Sequence, residues 1–396
     1  MTPRCRVKVV GVGSAGCNIL GILTDEWTEC PDALAVDTHA ERLKVVGGAQ
    51  TTLLGETVTG GMSTGGDPVL GRRAAESSIS ALRNEFCDVD LVLMVTGLGG
   101  GTGGGAGPAV ARAAREAGAL TLAFCTLPFF FAGSMRRRAA EEGLLDMRQS
   151  ADAVIVFPNQ RLLEWIGTDC GIEISFHKVG EVVASSLRAL WKLLSEKGAL
   201  DLDFADLKQM VTASGGTLAL AQADAIGEDR AQRVLQGLND SPMLEHGSVL
   251  SSARAILAGI LGGPDLTLVD LQTIISGITG LARPDADVHL GVMVDPESIG
   301  RVHITLLTAE QVERPELTKA DGPLEDSSAV PETTRIRTPR KTPAKAGTKQ
   351  VELPLDGLDG EKAGRFRKED PTIIDGQNLD EPTFIRRGIR LSSAVN

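Results

Sequence analysis

The sequence predicts an α/β fold in which a doubly wound parallel sheet, covered by helices on both faces, is followed by a second, smaller domain. Two observations support this prediction. Short apolar runs such as RVKVVGV (6–12) and VDLVLMVTG (89–97) alternate with amphipathic stretches, which is the pattern of parallel strands joined by helices. The chain of 396 residues is also long enough for about two domains.

The N-terminal part of the chain shows this alternation most clearly. Strands are predicted at 6–12, 33–37, 89–97, 120–129 and 152–159. Helices are predicted at 13–23, 68–86, 108–119 and 136–151, where apolar residues recur at helical spacing. We therefore assign residues 1–175 to a first domain that contains the parallel sheet.

A long amphipathic segment separates the first domain from the second. Residues 176–198 carry apolar side chains at helical spacing, so they are predicted to form a central helix that connects two domains. Residues 199–310 are assigned to a smaller α+β domain. Its late apolar runs, HLGVMVD (289–295) and RVHITLLTA (301–309), are expected to pair as strands.

Composition excludes several classes of protein. The net charge of −12 argues against a general nucleic-acid binder. The six cysteines are dispersed without a CxxC pair, so we predict neither a disulfide framework nor a metal site built from cysteine, and expect a reducing, cytoplasmic location. No uninterrupted apolar run of about 18 residues occurs, so direct insertion into a membrane is not expected.

The most unusual segment is the glycine-rich loop TGLGGGTGGGAG (96–107), which follows an apolar strand and precedes a helix predicted near Pro108. Backbone N–H groups can approach a polyphosphate closely only where no Cβ intervenes, and a following helix adds the positive end of its dipole. A flexible linker is the other interpretation, but linkers rarely join a buried strand directly to a helix. No lysine follows in the pattern of an ordinary P-loop.

A second glycine motif, GVGSAG (11–16), follows the first strand, and Asp37 stands at the end of the second strand. This spacing matches a dinucleotide-binding fingerprint, so an NAD-linked oxidoreductase is an alternative function. That interpretation leaves the richer loop at 96–107 without a role. Two glycine loops at the ends of two strands favour a nucleoside triphosphate held by several loops.

At this point the chain resembles the tubulin/FtsZ family of GTPases. The resemblance rests on blocks of sequence that occur in the family's order and span nearly the whole chain except the linker. These blocks are GVGSAGCN (11–18), STGGDPVLGRRAAE (63–76), GGGTGGGAGP (99–108), TLPFFFAGSMRR (126–137), PNQRLL (158–163), LDLDFADLKQM (200–210), SPML (241–244), GGPDLTL (262–268) and DEPTFIRR (380–387).

The resemblance implies that the first domain binds GTP or GDP with Mg²⁺. Asn18 would contact the guanine, Phe176 would stack on it, and Arg136 would lie near the ribose or phosphates. Without the resemblance these three residues would be read as a helix-surface residue, a core residue and a solvated arginine. The residues implied to bind the nucleotide are Ser14, Ala15, Gly16, Cys17, Asn18, Gly99, Gly100, Gly101, Thr102, Gly103, Arg136 and Phe176.

Several positions depart from the family pattern. Ala132 replaces the usual ribose-binding acid, and Gly180 replaces the Asn that reads guanine. The usual Asn-Thr-Asp stretch after the second strand is Asp-Thr-His (37–39), and Asp201 replaces an Asn. Two nucleotide contacts, one to the ribose and one to the guanine, are therefore expected to be weaker, and the negative charge added by Asp201 is expected to slow turnover or increase its dependence on Mg²⁺.

Asp203 and Asp206 are three residues apart at the start of a predicted helix, so both carboxylates can lie on one face. The residues alone favour helix capping. The resemblance instead implies catalysis: the two aspartates would orient water on the γ-phosphate of GTP bound by the next subunit. Head-to-tail contacts of this kind generate homopolymers, and hydrolysis would depend on assembly.

The end of the chain has a different composition. Residues 311–378 are rich in Pro, Thr, Lys, Glu and Gly and are predicted to be a disordered linker. The peptide 379–396 is expected to bind membrane-associated division proteins, since the resemblance places such contacts there. The residues implied are Pro382, Phe384, Ile385, Arg386 and Arg387.

The sequence is interpreted as a GTP-binding cytoskeletal protein that forms filaments at the site of bacterial cell division. Two alternatives stay open. One is a filament-forming member of the family with little or no hydrolysis, which the substitutions suggest. The other is the NAD-dependent oxidoreductase.

Overall fold

The strands of the main sheet begin and end close to the predicted apolar runs. The computed structural model describes residues 5–27, 31–167, 171–309, 373–374 and 377–378. Its strands up to residue 309 are β1 (Val7–Val12), β2 (Asp32–Asp37), β3 (Gln50–Leu53), β4 (Leu91–Gly97), β5 (Leu120–Leu127), β6 (Ala153–Pro158), β7 (Thr217–Ile226), β8 (Ala255–Gly262), β9 (Asp287–Val294) and β10 (Arg301–Ala309).

Helices fill most of the connections between these strands. They are α1 (Gly13–Glu26), α2 (Ala40–Leu43), α3 (Glu56–Thr59), α4 (Pro68–Ser77), α5 (Ile79–Glu85), α6 (Gly107–Glu116), α7 (Ser134–Ser150), α8 (Asn159–Ile166), α9 (Ile172–Ser195), α10 (Phe204–Ala213), α11 (Arg230–Asn239), α12 (Ser248–Ser252) and α13 (Leu268–Leu281). A π-helical turn at Thr102–Ala106 directly precedes α6, and short 3₁₀ turns lie at Phe130–Ala132 and Glu245–Gly247.

The strands form one sheet in the order β3-β2-β1-β4-β5-β6-β7-β10-β8-β9. From β3 to β7 all neighbours are parallel, and β10 runs antiparallel to both β7 and β8. The predicted doubly wound α/β fold is therefore confirmed. The sheet continues into the second domain through a short β6–β7 pairing, Val154 with Thr217 and Ile155 with Leu218.

The expected pairing of the two late strands is wrong. β8 lies between β9 and β10, and β9 runs parallel to β8 after the crossover helix α13. The burial pattern explains this order: β10 is buried along nearly its whole length, whereas β9 has exposed residues at both ends. A strand buried on both faces belongs inside a sheet, and a partly exposed strand belongs at its edge.

The central helix α9 occupies Ile172–Ser195. It begins four residues before the predicted start at 176 and ends three residues before the predicted end at 198. Its apolar stripe, which includes Val183, Leu187 and Leu190, is buried against one face of the sheet. At about 1.5 Å per residue its 24 residues span about 36 Å. The two ends of α9 therefore serve distant parts of the molecule.

The predicted linker and C-terminal peptide lie almost entirely outside the described residues. Within a separate unit, residues 319–396, the short strand β11 (Ile373–Ile374) pairs antiparallel with β12 (Gln377–Asn378). Pro382, Phe384, Ile385, Arg386 and Arg387 lie outside the described residues. None of the described helices is long and apolar enough to cross a membrane.

Candidate nucleotide-binding and catalytic site

The first predicted phosphate loop turns directly from β1 into α1. Ser14 is exposed at the start of this helix, where backbone N–H groups lack partners within the helix. Gly13 makes the turn with a φ of +70°, and a Cβ there would lie 2.9 Å from the backbone nitrogen of Gly103. Glycine is therefore required for the two predicted phosphate loops to touch.

The second glycine segment is more helical than predicted. The helix α6 begins at Gly107, next to the predicted start near Pro108, but a π-helical turn at Thr102–Ala106 leads directly into it. Gly103 is packed so closely that a Cβ would meet the carbonyl oxygen of Gly97 and lie 2.9 Å from Thr96 Oγ1. Gly100 is exposed and borders open space. The segment thus forms a closely packed cradle whose exposed edge is at Gly100.

A third loop adjoins these two, and sequence reasoning assigned it no ligand role. Thr64 is almost completely buried against Gly101, and Asp67 caps α4 by accepting hydrogen bonds from the N–H groups of Val69 (2.8 Å) and Leu70 (3.3 Å). The repeated glycines of TGGMSTGGD (59–67) were the available signal. This loop closes one side of the cradle.

The end of β2 is joined to the cradle by side chains. Thr38 Oγ1 lies 3.0 Å from Thr102 Oγ1, and both threonines are buried. Asp37 is 1% exposed and accepts hydrogen bonds from the N–H groups of Thr38 (2.7 Å) and His39 (3.3 Å). Its other oxygen lies 3.0 Å from Arg42 Nη1. Asp37 is therefore turned inward, unlike the exposed acid with which a dinucleotide site holds the ribose.

The predicted guanine contacts lie at the N-terminal end of α9. Asn18 is exposed on α1, and Phe176 is partly exposed on α9. The Phe176 ring packs against the rings of Phe129 and Phe131, with centroid distances of 5.0 and 6.2 Å. An aromatic cluster thus supports the ring that is expected to stack on the base.

The structure shows what surrounds two of the positions that depart from the family pattern, Gly180 and Ala132. A Cβ on Gly180 would lie 2.7 Å from Ile22 Cδ1, so an Asn at this place would require the Ile22 side chain to move. Ala132 ends the 3₁₀ turn that precedes α7, and Arg136 is exposed in the first turn of that helix. The packing thus favours a small residue at 180.

Cys17 lies behind the first loop rather than at its mouth, whereas Ala15 is partly exposed. Cys17 is 1% exposed, and its sulfur lies 3.7 Å from the carbonyl oxygen of Gly11. Burial raises the pKa of the Cys17 thiol to about 12. Since the thiol faces the sheet, Cys17 is limited to a backbone contact with a nucleotide.

The predicted catalytic aspartates form a capping box on α10. Asp203 Oδ1 accepts a hydrogen bond from the N–H of Ala205 at 2.5 Å, and Asp206 Oδ2 accepts one from the N–H of Asp203 at 3.0 Å. The geometry expected of helix caps is therefore present. It also fixes both carboxylates at one exposed edge of the second domain.

A histidine that the sequence reasoning missed contacts the second aspartate. His289 Nδ1, on β9, lies 3.2 Å from Asp206 Oδ1, and His289 Nε2 lies 3.2 Å from Asp287 Oδ2. Asp206 thus has a partner at each oxygen. No local motif could have signalled this contact, because residues 206 and 289 are brought together only by the sheet.

The acidic loop before α10 is held against the edge of the sheet. Ala199 and Leu200 donate backbone hydrogen bonds to the carbonyl oxygen of Val292, at 2.7 and 3.2 Å. Asp201 Oδ1 accepts a hydrogen bond of 2.7 Å from the N–H of Gly198. Asp201 therefore closes the turn that leads from α9 to the predicted catalytic pair.

Two family models match the chain. The first describes the Tubulin/FtsZ family GTPase domain and matches residues 6–167. The second describes the FtsZ family C-terminal domain and matches residues 216–311. Together with the ten-stranded sheet, the central helix and the glycine cradle, these matches define a nucleotide-binding protein with a tubulin-like fold.

Individual relatives agree with this class. The chain is 35% identical to "Cell division protein FtsZ 1" of Archaeoglobus fulgidus over 316 residues, which cover 80% of this chain and 84% of the relative. It is 30% identical to "Cell division protein FtsZ" of Pseudomonas putida over 96% of both chains. A solved structure described as an empty FtsZ dimer from M. jannaschii matches with a TM-score of 0.73 and 30% identity, covering 79% of this chain and 90% of that one. The chain belongs to the tubulin/FtsZ family of GTPases.

Proposed function

We propose that this protein binds GTP, assembles head to tail into filaments that serve cell division, and hydrolyses GTP where two subunits meet. The role in division is suggested by the names of the relatives in Archaeoglobus fulgidus and Pseudomonas putida. Self-association is supported by the dimer described for the M. jannaschii protein. Family membership supports GTP as the nucleotide.

One observation carries the assembled-site proposal. The helix α1 runs beside α9 in the same direction, since Ile22 faces Gly180 and Trp27 packs on Trp191. The first phosphate loop, at the start of α1, therefore lies toward the N-terminal end of α9, whereas Asp203 and Asp206 follow the C-terminal end of α9. These ends are about 36 Å apart at the usual helical rise. Since one chain cannot bring the acids to its own nucleotide, a neighbour must supply them. A head-to-tail contact between the two ends does so at every junction.

The chemistry at such a junction requires little from the protein besides positioning. The oxygen of a water molecule bonds to the γ-phosphorus, and the bond from this phosphorus to the bridging oxygen of GDP breaks. Asp203 and Asp206 would accept hydrogen bonds from that water and orient it. His289 would keep the Asp206 carboxylate in one orientation. Ser14, Gly100 and the first turn at Thr102 would hold the phosphates.

Mg²⁺ fits the cradle only as an ion held mainly by the nucleotide. The described residues contain no cluster of three or more His, Cys, Asp or Glu side chains suited to a metal. Mg²⁺ commonly keeps several waters and binds through substrate phosphates, so this composition is compatible with it. When bound, it would offset negative charge on the β- and γ-phosphates.

The C-terminal peptide 379–396 completes the proposal. Phe384 and Ile385 would provide apolar contacts to a membrane-associated division protein, and Arg386 and Arg387 would add charge attraction. This contact would bring cytoplasmic filaments to the division site. Deletion of 379–396 should abolish binding to such a partner and leave nucleotide turnover unchanged.

The proposal is tested by right-angle light scattering with parallel phosphate release, after addition of GTP, ATP, GDP or NAD with Mg²⁺. We expect scattering and phosphate release with GTP, rising together above a critical protein concentration. Scattering without phosphate would support the family member that assembles without hydrolysis. The proposal would be contradicted if no nucleotide produced scattering or phosphate release, or if NADH produced an absorbance change.

A further inference from the structure

Arg42 connects the end of β2 to the first phosphate loop. It lies on the short helix α2, which His39 caps by accepting a hydrogen bond from the N–H of Arg42 at 3.3 Å. Its Nη1 lies 3.0 Å from Asp37 Oδ2 and also donates to Ser14 Oγ in the first phosphate loop. The guanidinium is therefore held beside the start of α1.

The position of this guanidinium is unusual in electrostatic terms. The N-terminus of a helix carries partial positive charge and attracts anions, so an arginine there needs a nearby negative group. Asp37 supplies one negative charge, but it is almost completely buried and already accepts two backbone hydrogen bonds. A polyphosphate on the same loops would supply several more.

Arg42 also retains capacity to bind. A guanidinium has five N–H donors. Both hydrogen bonds that the Arg42 side chain donates to described residues use Nη1, and the side chain is 32% exposed. Nε and Nη2 therefore stay available for an anion that reaches the first loop.

We propose that Arg42 is a phosphate-binding residue of the nucleotide site. This inference rests on the proposed function, because it assumes that the cradle holds GTP or GDP. Arg42 bridges the inward-facing Asp37 and a phosphate oxygen, and so supplies positive charge from within the same subunit. It thereby offsets the weaker ribose and base contacts expected from Ala132 and Gly180.

The test separates this role from simple neutralisation of Asp37. Asp37→Asn removes the buried negative charge and serves as the reference protein. The double variant Asp37→Asn/Arg42→Ala differs from this reference only by the loss of the arginine, and it leaves no unpaired carboxylate. Asp37→Asn/Arg42→Lys keeps the charge and loses the planar fork. Lys44→Ala, which removes an exposed cation that pairs with Glu41, is the matched control.

Binding of fluorescent GTP and GDP analogues is measured below the assembly concentration, and guanosine, which has no phosphate, is measured by competition. We expect Asp37→Asn/Arg42→Ala to bind both nucleotides about 10- to 100-fold more weakly than Asp37→Asn, as for loss of a charged hydrogen bond. The lysine variant should lose about 3- to 10-fold. Guanosine affinity and the Lys44→Ala control should be unchanged.

Two results would overturn the inference. The first is nucleotide affinity within twofold of the Asp37→Asn parent for both double variants. The second is an equal loss for guanosine, which would make Arg42 a structural residue of the loop. If the alanine variant does not fold, the lysine variant decides on its own. Failure of the unmodified protein to bind any guanine nucleotide would instead contradict the proposed function, and the inference with it.

Discussion

Alanine substitutions at three glycines of the cradle are expected to have different effects on stability and on GTP binding, although each adds the same methyl group. Gly103→Ala places a Cβ 2.9 Å from Thr96 Oγ1 and against the carbonyl of Gly97, so the backbone has to shift. Overpacking of this kind costs about 1–3 kcal/mol of folding free energy. We expect a lower melting temperature without nucleotide and at least about 10-fold weaker GTP binding, because the loop is displaced.

Gly100→Ala is expected to behave in the opposite way. A Cβ there meets nothing within 4 Å, so the melting temperature without nucleotide should be unchanged. The methyl group would project into the open edge of the cradle, where the phosphates are proposed to lie. GTP affinity should therefore fall about 10-fold or more, since backbone N–H groups approach a phosphate only where no Cβ intervenes.

Gly104→Ala is the matched control. Its Cβ would make an ordinary contact, 3.7 Å from the Gly99 nitrogen, and alanine favours helix over glycine by about 1 kcal/mol. Its stability should be equal or slightly higher, with unchanged GTP affinity. Thermal melting and fluorescence titration give both quantities for each variant. Normal GTP binding by Gly100→Ala would refute the placement of the phosphates.

Three further predictions concern catalysis, pH and thiol chemistry. Asp206→Asn and His289→Asn should lower phosphate release about 10-fold or more with unchanged GTP affinity, because the proposed catalytic acids and the proposed nucleotide site lie beyond opposite ends of α9. Weaker GTP binding by either variant would contradict this. Burial lowers the pKa of His303 below its usual 6.5, so the unfolded chain takes up a proton at a higher pH than the folded chain does. The urea midpoint of unfolding should therefore fall as the pH drops below about 6.5, and it should fall less steeply in His303→Gln. An equal dependence of the midpoint on pH in both proteins would contradict this. Burial raises the pKa of Cys17 to about 12, so maleimide should label the exposed Cys87 well before it labels Cys17. Peptide mapping measures both labelling rates, and equal rates would contradict the burial of the Cys17 thiol.

The fold class could be predicted from the sequence because apolar runs and amphipathic helices report local geometry directly. The order of the late strands could not, since a short connection between β9 and β10 suggests a hairpin while burial places β8 between them. The glycines at 103–105 suggested a loop because glycine is a poor helix former. Close packing between elements overrides that preference and makes them helical.

In the candidate site too, local patterns could be predicted from the sequence, whereas long-range contacts could not. The two glycine motifs and the aspartate pair are local patterns, so the sequence located them. The contacts Asp206–His289 and Arg42–Ser14 join residues that are 83 and 28 positions apart. They arise only after the sheet and α2 have placed their elements. Long-range polar pairs of this kind carry no periodic signal in a single sequence.

The proposed assembled active site is tested most directly by mixing two impaired variants at a GTP concentration that saturates the unmodified protein but lies well below the dissociation constant of Gly100→Ala. Asp206→Asn keeps the proposed phosphate cradle and lacks a proposed catalytic acid. Gly100→Ala keeps both proposed acids and carries a methyl group at the open edge of the cradle. In an equal mixture, about one quarter of random head-to-tail junctions pair an intact cradle with an intact acid. We predict that phosphate release recovers to about that share of the unmodified rate. A rate equal to the average of the two separate variants would contradict a site completed by the neighbouring subunit.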